Sequence, residues 1–131
     1  ASGLLTGLRT DTTREDFARG VVEGLLCSML DAIEAVENAM GHKAKRVLLT
    51  GGAARSQAMQ QLAPSIFGVD VILPAPGEYV ALGAARQAAW GLSGADTPPQ
   101  WDLAGTTTYS GKANPETVAR YQKLRDLTAS F

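Results

Sequence analysis

The stretch Arg46-Val47-Leu48-Leu49-Thr50-Gly51-Gly52-Ala53-Ala54-Arg55-Ser56-Gln57 constrains what this chain can fold into more than any other. A short run of β-branched and apolar residues, preceded by charge and followed by paired glycines, reads as a buried strand that ends in a glycine turn. A helical pattern follows at once, from about Ser56 to Phe67, with Met59, Leu62, Ala63 and Ile66 on one side. Pro64 removes a backbone donor there and is expected to kink or restart that helix, and Gly68 closes it.

Val69 to Leu73 predicts a second strand, stopped by Pro74 and Pro76, and Gly77 to Trp90 predicts an alanine-rich third helix ended by Gly91. Upstream, Thr12 stands three residues before Glu15, the spacing of a capping box, so a helix is expected to start near Thr13. Phe17, Val21, Leu25, Met29, Ile33 and Val36 then recur at three- and four-residue intervals as far as Met40, and Gly41 supplies the stop. Helix, strand, helix, strand, helix with short connections implies an α/β layer, with right-handed crossovers between parallel strands. Gly20, Gly24 and Ser28 offer a groove for close packing, and so do Ala81-Leu82-Gly83-Ala84-Ala85 in the third helix, against the sheet behind the glycine turn.

Past Gly94 the composition shifts. Asp96 to Gln100 and Gly105 to Thr108 read as an extended surface connection that packs little except through Trp101 and Tyr109. Pro115 opens a last amphipathic helix, with Val118, Tyr121, Leu124 and Leu127 on one stripe up to Phe131. The 131 residues fit one folding unit. The formal net charge of −1, from 12 basic and 13 acidic residues, offers no broad attraction for nucleic acid or an anionic membrane. Cys27, the one cysteine, lies in an apolar helical run and reads as a small buried hydrophobe; the simplest compartment is the reducing cytoplasm. No apolar stretch approaches the ~20 residues that cross a bilayer, and the start shows no secretory layout. It also lacks an initiator Met and reads as a piece of something longer.

Chemistry points back to the glycine turn. Without Cβ atoms, Gly51 and Gly52 let a flat ligand such as a purine approach the backbone, and Ser56 and Gln57 at the helix start can hydrogen-bond it. Open α/β sheets bind ligands at this carboxyl end of their strands. The alternative from the residues alone is a tight strand-to-helix turn with no ligand. The turn lacks the spaced glycines of a dinucleotide fingerprint and the lysine of a phosphate loop, and Thr106 to Ala113 fails as a phosphate loop at both ends. His42 has no metal-ligand partner at a suitable spacing, and Asp31, Glu34 and Glu37 form no carboxylate pair, so neither a metal ligand nor a catalytic base is assigned.

Four blocks in order, Ala1-Ser2-Gly3 through Gly7-Leu8, Leu49 to Ser56, Ile66 to Val71 and Ala81 to Ala85, resemble the FGGY carbohydrate kinases over residues 1–92. The resemblance implies part of an actin-like, ribonuclease-H-like ATPase domain, with a mixed or parallel sheet and flanking helices. Residues 1–92 would form the adenine-binding side, and residues 93–131 an extended connection and helix packed on the same domain. It implies ATP and Mg2+ as cofactors, D-xylulose as the expected sugar, and ribulose, glycerol or gluconate as alternatives. Gly51 and Gly52 would lie against adenine, Ser56 near the base or ribose, and Arg55 and Gln57 beside them; Ala53 stands where the family's turn is richer in glycine. The family's catalytic Asp and phosphate-binding hairpins would lie upstream, so the chain is expected to be inactive alone, and its bare strand edges could pair two copies into a homodimer. The rival from another class is a non-catalytic binding or assembly module of the same fold.

Overall fold

The structure is a computed structural model that describes residues 4–101 and 105–128. The elements run α1 (Arg14–Met40), β1 (Arg46–Leu48), a 3-10 turn (Gly52–Arg55), α2 (Gln57–Phe67), β2 (Asp70–Pro74), α3 (Tyr79–Ser93), β3 (Thr106–Tyr109) and α4 (Pro115–Thr128). The sheet has the order β1-β2-β3 and is mixed. β1 and β2 are parallel, with Val47 opposite Val71, as the α2 crossover demands. β2 and β3 are antiparallel, with Val71 opposite Tyr109 and Leu73 opposite Thr107. The Thr106–Tyr109 segment is therefore a strand and not a surface connection. Its three threonines and tyrosine have strand propensity, which the neighbouring Gly105 and Gly111 obscure in a composition window.

One face of this sheet carries the core. Val71, Leu26, Cys27 and Ala63 are all but sealed from solvent, and Leu49, Met59, Ile66 and Phe67 join them. Val47 and Leu73 pack on the same cluster, consistent with the period-2 alternation along each strand. The opposite face stays open: Leu48 is 54% exposed, so β1 is half covered and not the fully buried strand its composition implies. On α1 the buried side is Leu26 with Val22, Met29, Leu30 and Ile33. The stripe expected through Phe17, Val21, Leu25 and Val36 is instead exposed along much of its length. This helix is apolar on two sides, and periodicity does not say which one meets the sheet.

The capping box sits one residue later than its sequence spacing indicates. The Thr12 hydroxyl accepts the Arg9 N–H at 2.9 Å and is committed upstream. Thr13 takes its place: its hydroxyl accepts the Asp16 N–H at 3.1 Å, and the Asp16 carboxylate accepts the Thr13 N–H at 3.0 Å. The Thr13 hydroxyl and amide together hold the Asp16 carboxyl below its usual range. At the other end Gly41 caps α1 as expected, and Glu37 accepts from Lys43 Nζ at 2.6 Å and from the Ala44 N–H at 2.8 Å, fixing the turn into β1.

α2 passes through Pro64 unbroken and ends at the Gly68 cap. Pro64 lies in the last turn and is fully buried, and its carbonyl accepts the Gly68 N–H at 3.0 Å. The adjoining Ser65 carbonyl accepts the Asn114 N–H at 2.8 Å, which ties this turn to the start of α4. α4 begins with the Asn114 side chain accepting the Thr117 N–H at 3.2 Å and Pro115 at the first helical position. It docks on α1 through Tyr121 and Arg125, which donate to Asp31 at 3.2 and 2.5 Å. Asp31 and Glu37 are thus structural acids. α3 runs past Gly91 to Ser93 and stops at Gly94, whose φ of 63° gives the left-handed cap. Among its residues none is buried, so the expected packing of Ala81 to Ala85 on the sheet is not found among the described residues. Nor does another backbone approach Gly20 or Gly24: a Cβ added at either meets nothing within 4 Å. Ala1–Gly3 of the first family block and the last residues of the final helix stripe lie outside the described residues.

No helix among the described residues is long and apolar enough to cross a membrane. Two outcomes test the core. Leu26→Ala should lower unfolding free energy in urea by about 2–5 kcal/mol, because a fully buried leucine leaves a cavity as well as losing its transfer energy. Burial pushes the Cys27 thiol up to about 11, so at pH 8 it should resist a thiol-specific chromogenic disulfide until denaturant is added. Rapid labelling of the native protein would show the α1–sheet seam to be open.

Candidate functional site

β1 delivers the chain to the edge of a cleft. The Leu49 N–H donates to the Ile72 carbonyl at 3.0 Å, carrying the pairing one residue past the strand. The backbone then breaks direction at Gly51, whose φ of 93° and ψ of −174° lie in a region that only glycine occupies without strain. Gly52–Arg55 makes one 3-10 turn, and the Ser56 N–H closes it on the Ala53 carbonyl at 3.1 Å. α2 starts at Gln57, one residue later than expected, with Ser56 at the N-cap position in an extended conformation. The Ser56 side chain makes no capping hydrogen bond to its own helix. A Cβ added at Gly51 or Gly52 would meet nothing within 4 Å. The turn therefore presents bare backbone to open space.

The space is a cleft of about 740 Å³ at the carboxyl ends of β1 and β2. Such a volume falls in the range of small-molecule sites. Leu49, Gly51, Gly52 and Arg55 line one side, Leu73 to Tyr79 the other, and Thr106, Thr107 and Tyr109 of β3 complete it. The second wall is held by the Ala75 N–H donating to the Gly105 carbonyl at 2.9 Å and by the Tyr79 hydroxyl donating to the Ala75 carbonyl. Prolines, leucines and tyrosines give the cleft apolar surface suited to a flat ring, while Arg55 and Glu78 are its charged lining residues.

Of the residues singled out in the sequence, Gly51, Gly52 and Arg55 line the cleft; Ala53, Ser56 and Gln57 lie in the same turn but are not among the lining residues. Gln60, Tyr79, Thr106, Thr107 and Tyr109 were missed. Gln60 carries a signal in retrospect, since it follows Gln57 by three residues and so returns to the same side of α2. The β3 residues carry none, because only pairing with β2 brings them here. Among the described residues the lining holds one carboxylate and no histidine, lysine or cysteine. Among the described residues no group of three His, Cys, Asp or Glu side chains forms a metal site.

The family model described as "FGGY family of carbohydrate kinases, C-terminal domain" matches residues 1–92. The chain belongs to the FGGY family of carbohydrate kinases. A xylulose kinase of Streptomyces coelicolor is 43% identical over 96 residues, which is 73% of this chain and 20% of that protein. A glycerol kinase of Citrifermentans bemidjiense is 36% identical over 106 residues, 79% of this chain and 21% of that protein. The crystal structure of xylulose kinase from Bifidobacterium adolescentis superimposes with a TM-score of 0.80 at 47% identity, covering 95% of this chain and 25% of that one. The chain thus spans about a fifth to a quarter of the relatives it matches. Its mixed α/β layer is a part of the actin-like ATPase fold of FGGY kinases, as the sequence resemblance implied. The match to the solved FGGY kinase extends past residue 92 and so takes in the tail that adds little to the sequence resemblance.

The two glycines of the turn should respond differently to substitution. Gly51→Ala should lower stability to urea by about 1–3 kcal/mol, the cost of holding a side chain in this backbone region. Gly52→Ala, whose Cβ meets open space, should shift it by less than about 1 kcal/mol. Equal losses at both positions would refute this account of the turn.

Proposed function

We propose that this chain is the adenine-side portion of an ATP-dependent sugar kinase, and that its parent phosphorylates D-xylulose to D-xylulose 5-phosphate. The observation that carries the reading is the bare Gly51-Gly52 backbone on a ligand-sized cleft at the carboxyl ends of two parallel strands, in a chain of the FGGY family. Xylulose kinases stand among the relatives by both sequence and structure, which supports the choice of sugar.

In this reading the purine lies against Gly51 and Gly52, where no side chain intervenes, and the apolar residues from Leu73 to Tyr79 shield it from water. Ser56, whose hydroxyl does not cap its own helix, hydrogen-bonds the base or ribose, and Arg55, Gln57 and Ala53 flank it in the same turn. ATP supplies the phosphoryl group. Magnesium comes with the nucleotide phosphates, since the described residues offer it no ligand set of their own. The task of these residues is positioning: they hold the nucleoside so that the phosphates reach the portion of the kinase that lies beyond this chain, where the base and phosphate-binding groups of the family belong. The chain alone would bind without turning over, and the parent would work in the cytoplasm.

A glycerol-phosphorylating parent is the second reading, supported by the glycerol kinases that match at 36% identity over most of this chain. The decisive measurement is ADP release by the full-length parent with ATP, magnesium and D-xylulose, D-ribulose, glycerol or gluconate. Preference for D-xylulose is expected; preference for glycerol would transfer the assignment, and no turnover on any of them would favour a binding or assembly module. In the same protein Gly52→Val should raise KM for ATP roughly tenfold or more, because its side chain fills the space against the base. An unchanged KM for ATP would move the nucleotide elsewhere.

A further inference from the structure

Gln60 ties together two parts of the cleft that are far apart in the chain. Its Nε2 donates to the Ala54 carbonyl at 2.7 Å, inside the 3-10 turn that begins at Gly52. Its Oε1 accepts from the Tyr109 hydroxyl at 2.8 Å, and Tyr109 is the last residue of β3, 49 positions away. A carbonyl can only accept, so Ala54 fixes which end of the amide faces the turn and leaves the oxygen for the tyrosine. Both side chains are part-buried and both line the cleft. A single 3-10 turn has poor hydrogen-bond geometry of its own and depends on outside contacts to hold its shape. Tyr109 in turn is fixed by its pairing with Val71 at the centre of the sheet. The tie therefore runs from the rigid sheet, through one hydroxyl and one amide, to the backbone against which a ligand would lie.

We propose that Gln60 and Tyr109 are a positioning pair that sets the height of the Gly51-Gly52 turn over β3, and with it the width of the slot that takes the nucleoside. This rests on the nucleotide reading above. Gln60 keeps one donor hydrogen and one acceptor lone pair beyond the two bonds it makes, but its plane is already dictated by Ala54 and Tyr109, so it acts through the turn.

The test uses the full-length parent with Gln60→Leu, which removes both bonds at similar volume, Tyr109→Phe, which removes one hydroxyl, and the double variant. Gln60→Leu should raise KM for ATP roughly tenfold and Tyr109→Phe roughly threefold, the factors that lost hydrogen bonds produce. In each case kcat should stay within about twofold, since the interaction acts on binding alone. The double variant should be no worse than Gln60→Leu, because the hydroxyl has no other route to the turn. In the nucleotide-free protein both single variants should speed amide exchange at Ser56, whose N–H closes the turn, and Tyr109→Phe keeps this readout should Gln60→Leu not fold. Additive effects, or a Tyr109→Phe protein with unchanged KM and exchange, would overturn the pair. If Gly52→Val raises KM while neither variant does, the pair alone fails; if Gly52→Val has no effect, the nucleotide reading fails and takes the pair with it.

Discussion

Val71 is the point from which the rest of this domain is hung. It is fully buried, pairs with Val47 across the parallel ladder and with Tyr109 across the antiparallel one, and has the α1–α2 layer above it. Burying a side chain of this kind contributes roughly 1.5–3 kcal/mol, yet its larger effect is geometric. Because it fixes the register of β2 against both neighbours, it determines how far β1 runs before the glycine turn and where Tyr109 stands beneath that turn. The cleft inherits its shape from that register.

The arrangement explains why a short sheet suffices. A sheet this small needs its apolar face covered. Here α2 crosses over between β1 and β2, α1 lies beside it, and α4 is clipped to α1 through the Tyr121 and Arg125 contacts to Asp31. Burial and the neighbouring Asp31 charge raise the Tyr121 phenol above its usual range, which keeps it a donor to Asp31. The open face, with Leu48, and the exposed flank of α1, with Phe17, Val21 and Leu25, are large apolar surfaces left over once this core is complete.

Much of the layer was legible in the sequence because each element carries its own local chemistry. The run from Arg46 through the paired glycines, the closing Gly41 and Gly68, and Pro115 at a helix start are decided by residues within a few positions of one another. One misreading was local and the others depended on longer reach. Thr12 lost the cap to Thr13 because Arg9 claims its hydroxyl. Pro64 stays within the last turn of α2, and the neighbouring Ser65 carbonyl is met from Asn114, 49 residues on. The buried side of α1 was misjudged because two apolar sides compete and only the sheet chooses. At the cleft, the glycine turn was visible while the wall from β3 was not, since Thr106 to Tyr109 reach it only through pairing across 30 or more residues.

That wall has a consequence for how such kinases diverge. The residues that enclose the cleft fall on both sides of residue 92, where the match to the family model ends. Recombination or drift in the C-terminal tail can therefore reshape the slot while every residue of the shared block stays as it was. If the cleft holds the nucleotide as proposed, relatives with matching glycine turns are free to differ in nucleotide preference, and a chimera joined near residue 92 would take its selectivity partly from the parent that donated its tail.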